Sequence, residues 1–183
     1  GRRDVPHQEQ IHNLLGQCYL IENNPTQAEA AFRWSVDRGK EKLFLDLPGI
    51  SQKYEESPQI SVKSIQNLEP LERSMAGLIE ALFQQKKWSE VISVTNELVK
   101  LVPNGKYSSR VLFLSALANY QLKNYNESSE ILNFLVKKGN RLPFYEHSLF
   151  LLAECQQLTK RLDESAKNHE IVAKHIKGSF AES

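Results

Sequence analysis

The chain has 183 residues, 40% of them hydrophobic and 25% charged, which is enough to bury a core and suits one domain or one short array. Its formal net charge is +1, with Lys and Arg spread along the chain, so neither the basic excess of a phosphate-backbone binder nor a polybasic membrane patch is present. No stretch approaches the ~18 apolar residues of a membrane-spanning helix, and two distant cysteines, Cys18 and Cys155, make neither a disulfide framework nor a zinc site.

The opening Gly-Arg-Arg-Asp-Val-Pro has no apolar run behind it, and Gly1 reads as a protease-cleavage remnant, which leaves room for a signal peptide or anchor upstream. The first periodic segment spans residues 8–42. Its apolar and small positions, Leu15-Gly16, Tyr19, Ala28 and Phe32, predict a helical hairpin. Small residues at Gly16 and Ala28 let the two helices approach, and Tyr19 and Phe32 fill the space above and below.

Residues 43–70 break the pattern. Pro48-Gly49, Ser57-Pro58 and Pro70 punctuate the stretch. Leu43 to Leu47 either extends the preceding helix or caps it, and Ser57-Pro58 opens a short helix over 59–67 with Ile60, Val62 and Ile65 partly buried. Three readings stand side by side: a functional insertion, a degenerate hairpin, or a tether between two sub-arrays.

From residue 71 onward, three segments align without gaps, predicting hairpins at about 72–107, 109–144 and 146–180. Trp88, Tyr125 and Leu162 fall in register, each 37 residues from the next, inside the frames Lys-Lys-Trp-Ser-Glu, Lys-Asn-Tyr-Asn-Glu and Lys-Arg-Leu-Asp-Glu. A large apolar residue between polar neighbours suits a tight turn packed on its own hairpin. The acid two places later suits the first turn of the next helix, where the helix dipole favours negative charge. Hairpins of this length bury a face only against stacked neighbours. Cys18 aligns with Ala81, Ala118 and Cys155, which predicts a small, buried helix-crossing position and a structural role for both thiols.

The Leu15-Gly16, Tyr19, Ala28 and Phe32 spacing resembles the tetratricopeptide (TPR) consensus, and the resemblance covers about residues 8–42 and 71–177. It is closest in the first unit. Later units depart from it, with Asn119 and Gln156 at the position of Tyr19. The 37-residue spacing exceeds the usual 34 and is similar to the longer repeats of bacterial cell-envelope TPR proteins. Pro103-Asn104-Gly105-Lys106-Tyr107 also resembles the turn between their hairpins.

The resemblance implies an all-α, right-handed superhelical array of antiparallel hairpins. It implies no cofactor, and a protein or peptide partner held by first helices that line a concave face. The inward positions are then Arg73, Arg110 and His147; Asn13, Ala76, Phe113 and Phe150; and Leu20, Phe83, Tyr120 and Gln157. Arg73, Phe83, Arg110, Phe113, Tyr120, His147 and Phe150 are the candidate partner-binding residues: aromatics that anchor, and a basic edge that holds carboxylates. Packing of Phe83, Phe113 and Phe150 from hairpin to hairpin is the competing reading. No first helix carries the Lys-x-x-x-Asn and Lys-x-x-x-Arg clamp that binds chaperone tails. For compartment, the resemblance points to the bacterial periplasm or cell envelope, with the cytoplasm as the alternative.

Catalytic constellations are missing from the sequence. His169-Glu170 and His175 are spaced six apart rather than four, which puts the histidines on opposite sides of a helix and spoils a metalloprotease motif. The eight glycines are scattered and form no phosphate loop, and paired carboxylates such as Glu127 and Glu130 are ordinary helix-surface charges. The sequon Asn126-Glu127-Ser128 sits in a turn where Asn and Ser are expected.

The function expected is therefore a non-catalytic scaffold or adaptor with no nucleic-acid partner, no metal and no membrane insertion. Two alternatives stand beside it. One is a self-associating array that stacks through Ile176 and Phe180 of its last hairpin. The other is the interaction part of a larger protein whose activity lies elsewhere.

Overall fold

The computed structural model describes residues 8–46, 68–139 and 141–181, and their regular structure is helical throughout. In chain order the helices are α1 (Gln8–Ile21), α2 (Pro25–Asp46), α3 (Leu68–Gln84), α4 (Trp88–Leu101), α5 (Ser108–Gln121), α6 (Tyr125–Lys137), α7 (Tyr145–Leu158) and α8 (Leu162–Ala181). They fall into two compact units, residues 1–108 and residues 109–183. α2 continues to Asp46, the extension that is one of the two readings of Leu43 to Leu47, and Pro70 sits in the first turn of α3, where its missing N–H is harmless. The helix expected at 59–67 lies outside the described residues.

Each first helix ends in the same way. Asn23, Lys86, Lys123 and Lys160 adopt left-handed backbone, with φ of 57°, 59°, 64° and 62°. The amide of the next residue reaches back five positions: Asn24 to the Tyr19 carbonyl, Lys87 to Leu82, Asn124 to Asn119 and Arg161 to Gln156. This is the Schellman closure of a helix C-terminus. It explains why the frames around Trp88, Tyr125 and Leu162 recur, since each is the exit from one such cap. The acids Glu90, Glu127 and Glu164 lie in the first turns of α4, α6 and α8.

A lysine in left-handed backbone costs about 1–2 kcal/mol that glycine avoids. Lys123→Gly should therefore raise stability by about 0.5–1 kcal/mol once the freer unfolded chain is counted, measured by urea unfolding. A loss of stability would mean that the lysine makes a compensating contact.

The core of the first unit is built around Phe32, which is fully buried. Its ring lies between α1 and α3, over Gly16 and Gly77. A Cβ at Gly16 would come within 2.7 Å of the ring, and a Cβ at Gly77 would run into it. The missing side chain at Gly16 thus makes room for the Phe32 ring, which fills the space expected of it. A buried polar seam runs beside the ring. Asn13 donates to Ser74 Oγ (3.0 Å), Ser74 donates to the Pro70 carbonyl (2.9 Å), and Ser35 donates to the Glu9 carbonyl (2.7 Å).

Glu29 joins α2 to the α3–α4 turn by accepting from Gln85 Nε2 and Lys87 Nζ, each at 2.7 Å, and from Arg33 Nε at 2.8 Å. Burial opposes its ionisation, but Lys87, Arg33 and Gln85 outweigh that and hold its carboxyl below the ordinary glutamate value. The turn after α4 closes on the buried Glu72, whose carboxylate accepts the Tyr107 amide at 2.8 Å.

In the second unit, Ala116, Leu132, Leu151, Leu152 and Cys155 form the core, with Phe113, Tyr120, Tyr125 and Ile131 packed against it. Ser128 Oγ donates to the Ala116 carbonyl at 2.8 Å and accepts the Cys155 thiol at 3.5 Å. Burial pushes the Cys155 thiol up, only partly offset by Ser128, so it stays protonated and unreactive at neutral pH.

Ala81, Ala118 and Cys155 are all fully buried, as their shared register predicts. Cys18 is not: it is exposed. α2 covers this face of α3 and α6 covers it on α7, but no described helix precedes α1.

Candidate partner-binding surface

The seven candidate residues all sit on first helices, at recurring register positions. In the first unit, Arg73 on α3 is exposed and donates to Glu69 Oε1 at 3.0 Å. That hydrogen bond, followed by its interaction with Tyr107, raises its already high pKa and keeps the guanidinium charged. Phe83 is half-buried and meets Trp88 edge to face at 5.1 Å, which ties it to its own hairpin turn. Asn13 and Ala76, which share a register with Phe113 and Phe150, are buried in the core and present nothing to a partner.

The second unit carries a more open stripe. On α5, Arg110 is exposed, and Phe113 and Tyr120 are half-buried. Phe113 stacks on Phe144, with ring centroids 4.7 Å apart, and Tyr120 meets Tyr125 edge to face at 5.5 Å. Tyr120 Oη donates to Glu154 Oε2 on α7 at 3.2 Å, bridging the two first helices. Burial raises the Tyr120 pKa, and the nearby Glu154 carboxylate adds to it, so the phenol stays a donor.

On α7, His147 is exposed and Phe150 is 47% exposed, its ring 5.8 Å from that of His169 and edge-on to it. His147, Phe150, Glu154 and Gln157 fall on one face at helical spacing. The arrangement brings together an aromatic platform, a phenol–carboxylate pair and basic side chains. Among the described residues no group of His, Cys, Asp and Glu is placed to hold a metal, and no helix is long and apolar enough to cross a membrane.

Sequence reasoning missed two members of this stripe. Phe144 lies outside any helix, just before α7, so helical spacing does not mark it. Glu154 is visible only by stepping the register four places on from Phe150, a signal the alignment contained.

Successive helical hairpins, each with its first helix closed by the same left-handed cap, define the class of helical-repeat proteins. The particular repeat follows from two solved structures, one of them a point variant, of the Podosopora anserina putative kinesin light chain nearly identical TPR-like repeats. They align with 98% of this chain and 100% of their own length, at 15% identity and TM-scores of 0.50 and 0.51. The fold is a TPR-like array, and at that identity the likeness concerns fold alone. No family model matches the sequence, and no curated protein matches it. These neighbours lend nothing to the cell-envelope form of the resemblance.

Proposed function

We propose that the chain is a protein-interaction scaffold that engages a peptide or partner protein through its first helices, without chemistry of its own. The TPR-like fold supports a protein partner. The observation that carries the reading is Phe150. Its ring, 47% exposed, shares one helix face with His147 and Glu154, which sets an apolar anchor between a basic and an acidic group. Arg110, Phe113 and Tyr120 extend the surface along α5. Arg73 and Phe83 hold the equivalent places in the first unit. The aromatics would anchor the partner, while the arginines favour carboxylates.

Phe150→Ala combined with His147→Ala should weaken capture of the physiological partner by about tenfold or more, in line with loss of an interface anchor. Both side chains are exposed, so the thermal midpoint should stay unchanged. Recovery of the same partners at the same yield from both forms would remove this surface from the account.

A further inference from the structure

Within each unit, the second helix of one hairpin covers one face of the next first helix: α2 on α3, and α6 on α7. On α3 that face carries Ser74, Leu78 and Ala81, and on α7 it carries Ser148, Leu152 and Cys155, all of them buried. The register equivalents on α1 are Ile11, Leu15 and Cys18. Ile11 is 48% and Leu15 41% exposed, and Cys18 is exposed too. Leu14 at 58%, the register equivalent of the buried Leu151, extends the same stripe. A four-residue apolar stripe on one helix, in the register that α7 buries, is a docking face with its covering helix missing among the described residues.

The last described helix carries the matching half. Ser165 on α8 is the register equivalent of Ser128 on α6. Ser165 Oγ donates to the Ala153 carbonyl at 2.8 Å, as Ser128 Oγ donates to that of Ala116 at 2.8 Å. On α6 the same oxygen accepts the thiol of Cys155, whose equivalent on α1 is Cys18. Along the same α8 face, Ala166 and Ala173 are exposed. They give small, uncharged ground for Leu14 and Leu15 to pack on. Ala166 stands where α2 has Glu29, so no acid there opposes Glu22 at the end of α1.

We propose that chains associate head to tail: α8 of one copy seats antiparallel on the apolar face of α1 of a second copy. Ser165 then receives the Cys18 thiol as Ser128 receives that of Cys155. The second copy thus continues, between molecules, the interface that α6 and α7 already make within one. The contact is heterologous, so a third copy joins where a second has joined, and assembly does not close at two. It places self-association on residues other than Ile176 and Phe180, whose side chains lie outside the described residues.

Sedimentation equilibrium over a range of protein concentrations tests this. The unaltered chain should show a mean mass that rises past the dimer. Leu14→Glu spoils only the head and Ala166→Glu only the tail, so each alone should be monomeric, with association weakened about tenfold or more. An equal mixture should form a dimer and stop there, because one good head and one good tail remain. Both positions are exposed, and helical content by circular dichroism checks that the variants fold.

As an independent readout, a Ser165→Cys variant should form disulfides to Cys18 of another copy under mild oxidation, giving a ladder on a non-reducing gel. A monomer at every concentration, with no ladder, overturns the proposal. So does an Ala166→Glu variant that associates as strongly as the unaltered chain, since that result means two α1 faces pair with each other.

Discussion

Phe32→Ala should destabilise the first unit by about 3–5 kcal/mol, the range for removing a fully buried phenylalanine and leaving a cavity. The size of the effect follows from where the ring sits. It is completely buried, and it occupies the space left by two glycines, one on each neighbouring helix. Neither Gly16 nor Gly77 has a side chain that can swing into the vacated volume, so the cavity persists. Urea unfolding followed by circular dichroism measures the loss. A change below about 1 kcal/mol would mean that α1 and α3 collapse onto each other once the ring is gone, and that the packing is looser than its geometry indicates.

Gly77→Ala should cost up to about 2 kcal/mol, against the usual sign of the substitution. In a helix interior, alanine is normally favoured over glycine by about 1 kcal/mol. Here the added methyl group runs into the Phe32 ring, and overpacking of that kind costs about 1–3 kcal/mol. The two residues therefore have to be coupled. In a Phe32→Ala background the clash is absent, and Gly77→Ala should turn stabilising by up to about 1 kcal/mol. A double-mutant cycle reads this directly. Additive effects would show that the ring and the glycine do not share the space assigned to them.

The 37-residue register was legible because it rests on local chemistry. A left-handed residue, a Schellman closure and an acid in the following first turn are each set by residues near in sequence, so Lys86, Lys123 and Lys160 announce three turns of the same form. The burial of Ala81 and Cys155 was legible for a related reason: repeated hairpins give register positions repeated neighbours. The same logic misplaced Cys18. An alignment column records residue type and not the helix that lies opposite, and no described helix lies opposite Cys18 as α6 lies opposite Cys155.

The exposure of the candidate partner-binding positions was harder to read for the reverse reason. Asn13, Ala76, Phe113 and Phe150 share one register yet run from buried to nearly half exposed, because the residues around them differ from unit to unit. Phe83, Phe113 and Tyr120 each spend part of their ring on Trp88, Phe144 and Tyr125 of their own units. Phe150, whose ring neighbour is His169, is the exposed one of these four aromatics.

The two proposed surfaces differ in character. The stripe on α5 and α7 is mixed, with rings, a phenol–carboxylate pair and basic groups. The face of α1 is purely aliphatic apart from one thiol, as suits a repeat interface that should be buried permanently. Variants in one surface should leave the other intact, so the two proposals fail or stand separately.

The central claim is that a partner is held by the first helices and not by the second. A photoreactive phenylalanine analogue placed at Phe150 on α7, compared with the same analogue at Phe134 on α6, tests it most directly. Phe134 is an apt control because it is 51% exposed, slightly more than Phe150, and lies on a second helix with Lys138 over its ring at 4.9 Å. The account predicts cross-links to a discrete partner from position 150 and little above background from position 134. Equal capture from both, or capture from position 134 alone, would contradict it.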